Sequence, residues 1–413
     1  MCFNEAEYYR KRTLRRALPG RLNLPAPGRK LCRMLKVQVL DCAGAENRNI
    51  RPHMPRPIRA TLKLSALRHN LGVVRRHAPK SRIWAVVKAD GYGHGLARVA
   101  RVLAGVDGFA LLDLDEAARL REAGITKPIL LLEGVFQPAD LEIADRLRLT
   151  LVMHDLEQIL MLERARLISQ IAVCLKLNTG LNRLGFAGSQ VRAAYSRLQA
   201  SGKVAAISLM THFADADGST GVAAQLARFA EWTAGLPGEL TLANSAAVLR
   251  YPETHAHWVR PGIMLYGCSP FAELSAEQLD LQPVMTLTSE LIAVQDLKPG
   301  DRVGYGGTFE APRPMRIGIV ACGYADGYPR HAPGARERQT PILVTGKRTA
   351  TLGRVAMDMI CADVSEIPAA RVGSAVTLWG EGLSADAVAA SAGTVSYELL
   401  CALARRVPQV EVE

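Results

Sequence analysis

Nowhere in the 413 residues does an apolar run approach the roughly 18 that a membrane helix needs, which argues against a membrane-spanning protein. Aromatic residues are scarce, at 5% of the chain. The eight cysteines (2, 32, 42, 174, 268, 322, 361 and 401) form no CxxC pair and no short Cys/His spacing. A disulfide framework or a zinc knuckle needs closer patterning, so they read as reduced thiols of a cytoplasmic protein without a metal site. What is present is ordinary for an enzyme with a sizeable core: 49% apolar residues, 22% charged, and length for one large domain plus a second.

The net charge of +12 is unevenly placed. Residues 1–53 hold 12 Lys/Arg against 4 Asp/Glu, which leaves 39 against 35 for the rest of the chain. The basicity therefore belongs to an extension, and the body gives no electrostatic case for nucleic acid. The extension clusters arginines from Arg10 to Arg16, carries several prolines and shows no strand–helix rhythm. No continuous apolar segment follows its charges, which disfavours a secretory signal. Three readings fit it: a mis-called start, a disordered arm, or an organelle-targeting segment, the last sitting awkwardly with Glu5 and Glu7. Orderly patterning opens at Met54, in MPRPIRATLKLSALRHNL, and favours Met54 as the natural start.

From residue 82 onward, apolar runs alternate with amphipathic stretches. The runs lie near Arg82–Lys88, Phe109–Leu112, Pro128–Leu132, Leu149–Met153, Ala172–Leu177, Ala205–Thr211, Leu240–Asn244 and Trp258–Arg260. Helical patterning is clearest over Gly95–Ala104, Asp115–Ala123, Gln190–Ala200 and Val222–Ala234. Eight such strands predict a (β/α)8 barrel, with an open doubly wound sheet as the alternative that periodicity leaves standing. After residue 283 the texture changes to short alternating runs broken by KPGD, GYGG and TGKR turns, then a helical stretch near Ser396–Leu403. The expected organisation is an extension over 1–53, an α/β barrel over 54–283 and a smaller, mostly β domain over 284–413.

The first barrel strand ends in AVVKADGYGHG. A barrel turns the carboxyl ends of its strands toward the active site, and a desolvated lysine there can form a Schiff base. A lysine that merely snorkels out of a strand end is the ordinary alternative. Tyr92 and the glycines beside Lys88 favour a reactive amine, since they allow close backbone approach and add a hydroxyl. Other polar groups recur at strand ends: Lys176 and Arg183, then His212, then Asn244 and Ser245, then Arg260. Singly, a strand-end His is usually framework and an Asn-Ser pair usually a helix cap. Their convergence on one rim points to a site, with Ser245 and the amides of Gly262 and Ile263 as a phosphate cradle.

Eight segments then match one family in its own order: AVVKADGYGHG, LNTGLNRLGF, THFADAD, ANSAA, VRPGIMLYG, GYADGYPR, RVAMDM and SYELL. From Met54 to the C-terminus the chain resembles the alanine racemases. The resemblance implies pyridoxal 5′-phosphate as cofactor, L- and D-alanine as substrates, and a homodimer whose active sites are shared between subunits. Lys88 would carry the cofactor and move the proton on the D-alanine side, and Tyr324 would do so on the opposite face for L-alanine. Racemisation needs two such groups on opposite faces of one carbon. His212, linked to Arg260, would help Tyr324, and Arg260 would hydrogen-bond the pyridine nitrogen. A guanidinium stays charged, so it limits the electron sink and with it side reactions such as transamination.

By the same resemblance Tyr92, Ser245, Gly262, Ile263 and Tyr397 are phosphate ligands, with Asn244 beside them. Arg183 and the backbone of Met357 would hold the substrate carboxylate, and Arg354 and Asp358 would lie along the access path and the rim. Lys176 matches a position that some members carbamylate. Two departures stand out: Asn178 where many members have Asp, which touches the setting of Lys176, and Ala356 where Cys is common. Rival readings are a non-catalytic pyridoxal-phosphate-binding barrel, which would lack Tyr324 and the second domain, and a basic-amino-acid decarboxylase, which RPG at 260–262 disfavours. A broad-specificity racemase differs in pocket size and often in export. The expected role is to supply or consume D-alanine, a peptidoglycan precursor, in the cytoplasm.

Overall fold

The computed structural model describes residues 56–413. The basic extension 1–53 and the start at Met54 lie outside the described residues. Twenty strands are present among the described residues, and the first of them departs from the sequence-based division. Strand β1 (Arg59–Lys63) precedes the barrel in the chain, yet pairs antiparallel with β10 (Met285–Leu297) and parallel with β20 (Gln409–Val412). It is a strand of the second sheet, although the boundary at residue 54 grouped it with the barrel. Its alternating burial, with Ala60 and Leu62 inward, specifies a half-buried strand but not its partner.

The barrel strands are β2 (Arg82–Val86), β3 (Gly108–Leu111), β4 (Ile129–Leu131), β5 (Leu149–Met153), β6 (Ile171–Lys176), β7 (Val204–Met210), β8 (Leu240–Thr241) and β9 (Trp258–Val259). Each is parallel to its neighbours, and β2 pairs with both β3 and β9. That last pairing, Arg82↔Trp258 and Ile83↔Val259, closes the barrel and excludes the open sheet. The runs are apolar because both faces are covered: β3 is buried along its whole length. Each fully buried Leu, Ile or Phe here contributes about 1.5–3 kcal/mol relative to exposure.

Several helices begin at a capping side chain. Asp113 caps Leu114–Glu122 by accepting the Glu116 amide, and Asp155 caps Leu156–Arg164 by accepting that of Glu157. Asn244 caps Ser245–Arg250 by accepting the Ala247 amide at 3.0 Å, which sets the entry angle of the chain at the seventh barrel strand.

The second domain adds β11 (Arg302–Val303), β12 (Phe309–Glu310), β13 (Met315–Val320), β14 (Gly334–Ala335), β15 (Arg338–Gln339), β16 (Pro341–Val344), β17 (Lys347–Leu352), β18 (Ile360–Asp363) and β19 (Ala375–Trp379). Its main sheet runs β13-β18-β17-β16-β19-β10-β1-β20, and β13 also pairs with β10. The long strand β10 serves three partners, β1, β19 and β13, and its register with β13 shifts between Leu291 and Ala293, a bulge that turns the strand. One continuous apolar core runs through barrel and sheet together. No helix among the described residues is long and apolar enough to cross a membrane.

Candidate active site

At the carboxyl ends of the barrel strands lies a cavity of about 1350 Å³. Lys88, Tyr92, Lys176, Arg183 and His212 line it, as do Asn244, Ser245, Arg260, Gly262, Ile263 and Tyr397. Tyr324, Arg354, Met357 and Asp358 are not among its walls. They sit on the second domain, where Tyr324 is 39% and Met357 52% exposed.

Lys88 opens a stretch of unusual backbone. Ala89, Asp90, Gly91 and Tyr92 all have positive φ, between 52° and 65°. A left-handed turn costs an L-residue roughly 1–2 kcal/mol, so it persists only when its surroundings hold it. Here Gly91 N–H donates to Val87 O (2.9 Å) and Gly93 N–H to Ala89 O (3.0 Å). Asp90 N–H donates to Glu116 Oε1 at 2.8 Å. His94, fully buried, places Nδ1 2.8 Å from Tyr92 O and 3.1 Å from Gly91 O; carbonyls only accept, so that nitrogen carries the proton. Burial pushes the His94 imidazole down to about 4, so the ring is neutral. Gly93 has no room for a side chain, because a Cβ would stand 2.1 Å from Leu400 O in the helix Ser396–Cys401 that carries Tyr397. Glu116 and His94 were not singled out from sequence. Their signal is faint, since nothing local says that the turn is left-handed.

Arg260 is buried and saturated on its terminal nitrogens. Nη1 donates to Thr241 O (2.6 Å) and Thr241 Oγ1 (2.7 Å), and Nη2 to Thr211 O (2.7 Å) and Leu242 O (3.1 Å). Its Nε makes no protein hydrogen bond among the described residues, which leaves one donor for a group in the cavity. Burial lowers its pKa to about 10, which keeps the guanidinium charged at neutral pH. His212 Nδ1 lies 3.5 Å from Arg260 Nη2. Burial first, then the charges of Arg260, Lys176, Arg183 and Lys88, hold His212 at about 3, so its ring is neutral as well. Lys176 is pushed down to about 8 by burial and then by Arg260 and Arg183. The Asn178 Oδ1 accepts the amides of Gly180 and Asn182, shaping the loop that leads to Arg183.

The residues expected to cradle a phosphate lie close together. Ser245 Oγ accepts the Gly262 amide at 2.9 Å, so of the two amides expected from sequence, Gly262 is already engaged. A Cβ on Gly262 would lie 2.6 Å from Tyr92 Oη, so only glycine lets that hydroxyl approach. Burial raises the Tyr92 and Tyr397 phenols above their ordinary range, which keeps both as O–H donors at neutral pH. Neutral hydroxyl donors, a free Arg260 Nε and the Lys88 amine on one cavity fit a ligand with a phosphate, a ring nitrogen and a carbonyl carbon. The residues present therefore suit pyridoxal phosphate.

On the second domain, Tyr324 N–H donates to Ala356 O (3.1 Å) and Ala325 N–H to Met357 O (3.0 Å). Gly323 makes that contact possible, because a Cβ would stand 2.4 Å from Ala356 O. The Met357 carbonyl is thus engaged and its amide is the group left for a ligand. Tyr324 and Met357 form one backbone-locked unit, and neither lines the cavity that Lys88 lines in the same chain.

Residues 62–270 match the alanine racemase N-terminal domain family and residues 284–411 the alanine racemase C-terminal domain family. An alanine racemase of Ralstonia nicotianae is 58% identical over 356 residues, which is 86% of this chain and 95% of that one. One of Burkholderia mallei is 56% identical over 357 residues, covering 86% of this chain and 99% of that one. Among solved structures, the biosynthetic alanine racemase from Pseudomonas aeruginosa superposes with a TM-score of 0.84 at 46% identity, over 87% of this chain and 100% of that one. The alanine racemase from Acinetobacter baumannii gives 0.82 at 37% identity, over 86% and 100%.

Proposed function

We propose, from the premise that this chain belongs to the alanine racemase family, that it interconverts L- and D-alanine. The observation that carries the reading is that Lys88 lines one cavity at the mouth of a closed barrel together with Tyr92, Ser245, Arg260 and Tyr397. Lys88 would hold pyridoxal phosphate, with Tyr92, Ser245, Ile263 and Tyr397 around its phosphate and Arg260 Nε at its ring nitrogen. When bound, the cofactor supplies an electron sink that acidifies the Cα–H of the substrate. Lys88 moves the proton on the D-alanine face and Tyr324 moves it on the L-alanine face. Arg183 and the Met357 amide hold the carboxylate, and the neutral His212, whose Nδ1 faces the donor Arg260 Nη2, carries its proton on Nε2 and is fit to donate a hydrogen bond to the phenol oxygen.

The separation of Tyr324 from its own chain's cavity supports a homodimer in which one protomer supplies Tyr324 to the site of its partner. The enzyme would work in the cytoplasm and draw on or feed the D-alanine pool. A non-catalytic barrel would have no second domain, whereas residues 284–411 match the racemase C-terminal domain.

Purified protein should absorb in the visible range when loaded with pyridoxal phosphate, lose that band irreversibly with borohydride, and racemise L-alanine. Lys88→Ala should show neither the reducible band nor turnover. A reducible band that persists in Lys88→Ala would place the covalent linkage elsewhere.

A further inference from the structure

The turn that presents Tyr324 is clamped by an ion cluster that no step above uses. Asp326 ends the 3-10 turn Tyr324–Asp326 and is completely buried. Its Oδ2 accepts the Gly323 amide at 2.9 Å. Its Oδ1 accepts from Arg56 Nη1 and from Arg406 Nε, each at 2.7 Å. Both guanidiniums then reach onward to the residue after Met357. Arg406 Nη2 donates to Asp358 Oδ1 and Arg56 Nη2 to Asp358 O, each at 2.6 Å. Arg56 lies just before β1 and Arg406 just before β20, so the two strands nearest the chain ends converge on one carboxylate.

A buried carboxylate is a poor device for stability. Desolvating it offsets most of what the ion pairs gain, and an apolar replacement of the same shape is often as stable. Two guanidiniums supply something an apolar patch cannot: planar forks with donors at fixed angles, each spanning two acceptors. Here each fork joins Asp326 to Asp358, and so fixes the Tyr324 turn against the Met357 loop. Those two pieces must meet one alanine, Tyr324 at its Cα and Met357 at its carboxylate.

We propose that Arg56, Asp326 and Arg406 are positioning residues for racemisation, which hold Tyr324 and Met357 as one preformed piece. The proposal rests on the role given above to Tyr324. It also gives the segment before β1 a task in catalysis. Loosening the clamp lets the phenol drift while Lys88, in the barrel, stays where it was.

The test separates the two proton transfers. In deuterium oxide, Lys88 can take the Cα proton of D-alanine, exchange it with solvent and return deuterium to the same face. That is exchange without inversion, and it needs no Tyr324. Holoenzyme carrying Arg56→Gln with Arg406→Gln is compared with wild type and with Tyr324→Phe. Cofactor absorbance and oligomer mass should match wild type, kcat for racemisation should fall about tenfold, as misplacement of a reacting group does, and exchange should continue near the wild-type rate. The ratio of exchange to inversion then rises about tenfold. Arg406→Gln alone leaves Asp326 paired with Arg56, and carries the same test if the double variant does not fold. Exchange and inversion falling together, or no loss of racemisation, overturns the clamp. Wild-type inversion in Tyr324→Phe would instead remove the role of Tyr324 on which it rests.

Discussion

Lys88 and Tyr324 of one chain do not share a cavity: Lys88 lines the space at the barrel mouth, while Tyr324 stands outside it, exposed on the second domain. Two proton-transfer groups for one carbon cannot act from separate places. Under the proposed function, each must serve a different site of a two-fold dimer.

Complementation measures this directly. Lys88→Ala and Tyr324→Phe should each be nearly inactive alone. Unfolded together and refolded, they form mixed dimers in which both lesions fall in one site and the other is intact. Random pairing makes half the dimers mixed, so recovered activity should be about a quarter of wild type, from isologous pairing alone. No recovery, with subunit exchange verified by mass spectrometry, would show that each chain uses its own Tyr324.

Gly262→Ala should weaken cofactor binding without unfolding the barrel. The new Cβ would meet Tyr92 Oη at 2.6 Å, and a phenol at the end of a side chain can swing away where backbone could not. Losing one hydrogen bond to a charged phosphate is worth about 1.5–3 kcal/mol, or roughly ten- to a hundredfold in affinity. Absorbance titration of apoprotein with pyridoxal phosphate reads this. Tyr92→Phe should give a similar loss, and the two changes together should lose little more than either one. Wild-type affinity in Gly262→Ala would exclude Tyr92 from the phosphate.

Mild acid should destabilise the fold. Burial is the leading cause that lowers His77, His94, His154 and His212, taking His94 to about 4 and His212 to about 3. Below the ordinary histidine value near 6.5 the unfolded chain takes up protons that the folded one refuses. Stability is therefore full above that value and is lost progressively as pH falls from 6.5 toward 3. Tm of the apoprotein should drop between pH 7 and pH 5, ahead of carboxylate titration, and the slope should be shallower in His94→Gln. An equal slope in that variant would show that His94 takes no part.

Much of this was legible in the chain because the signals are local. Apolar runs bounded by turn residues place strands within about three residues, and without error at Leu149–Met153, since the pleat and its burial repeat over a few positions. Lys88 could be placed at a strand end for the same reason, and the motifs around Tyr92, Arg260 and Tyr324 are each contiguous. Tertiary structure decided what depends on residues far apart. Closure of the barrel rests on Ile83↔Val259, and the place of β1 in the second sheet rests on partners more than 200 residues away. Nothing in a five-residue strand names its neighbour, because every strand offers the same backbone donors and acceptors. The Asp326 clamp joins side chains 270 and 80 positions apart, and the lowered pKa values of His94 and His212 arise from burial that only packing creates. Sequence determined the elements and the reactive groups they carry. The fold determined which of those groups share a cavity, which lose their water, and which are left facing out, because closure and desolvation are properties of the assembled chain.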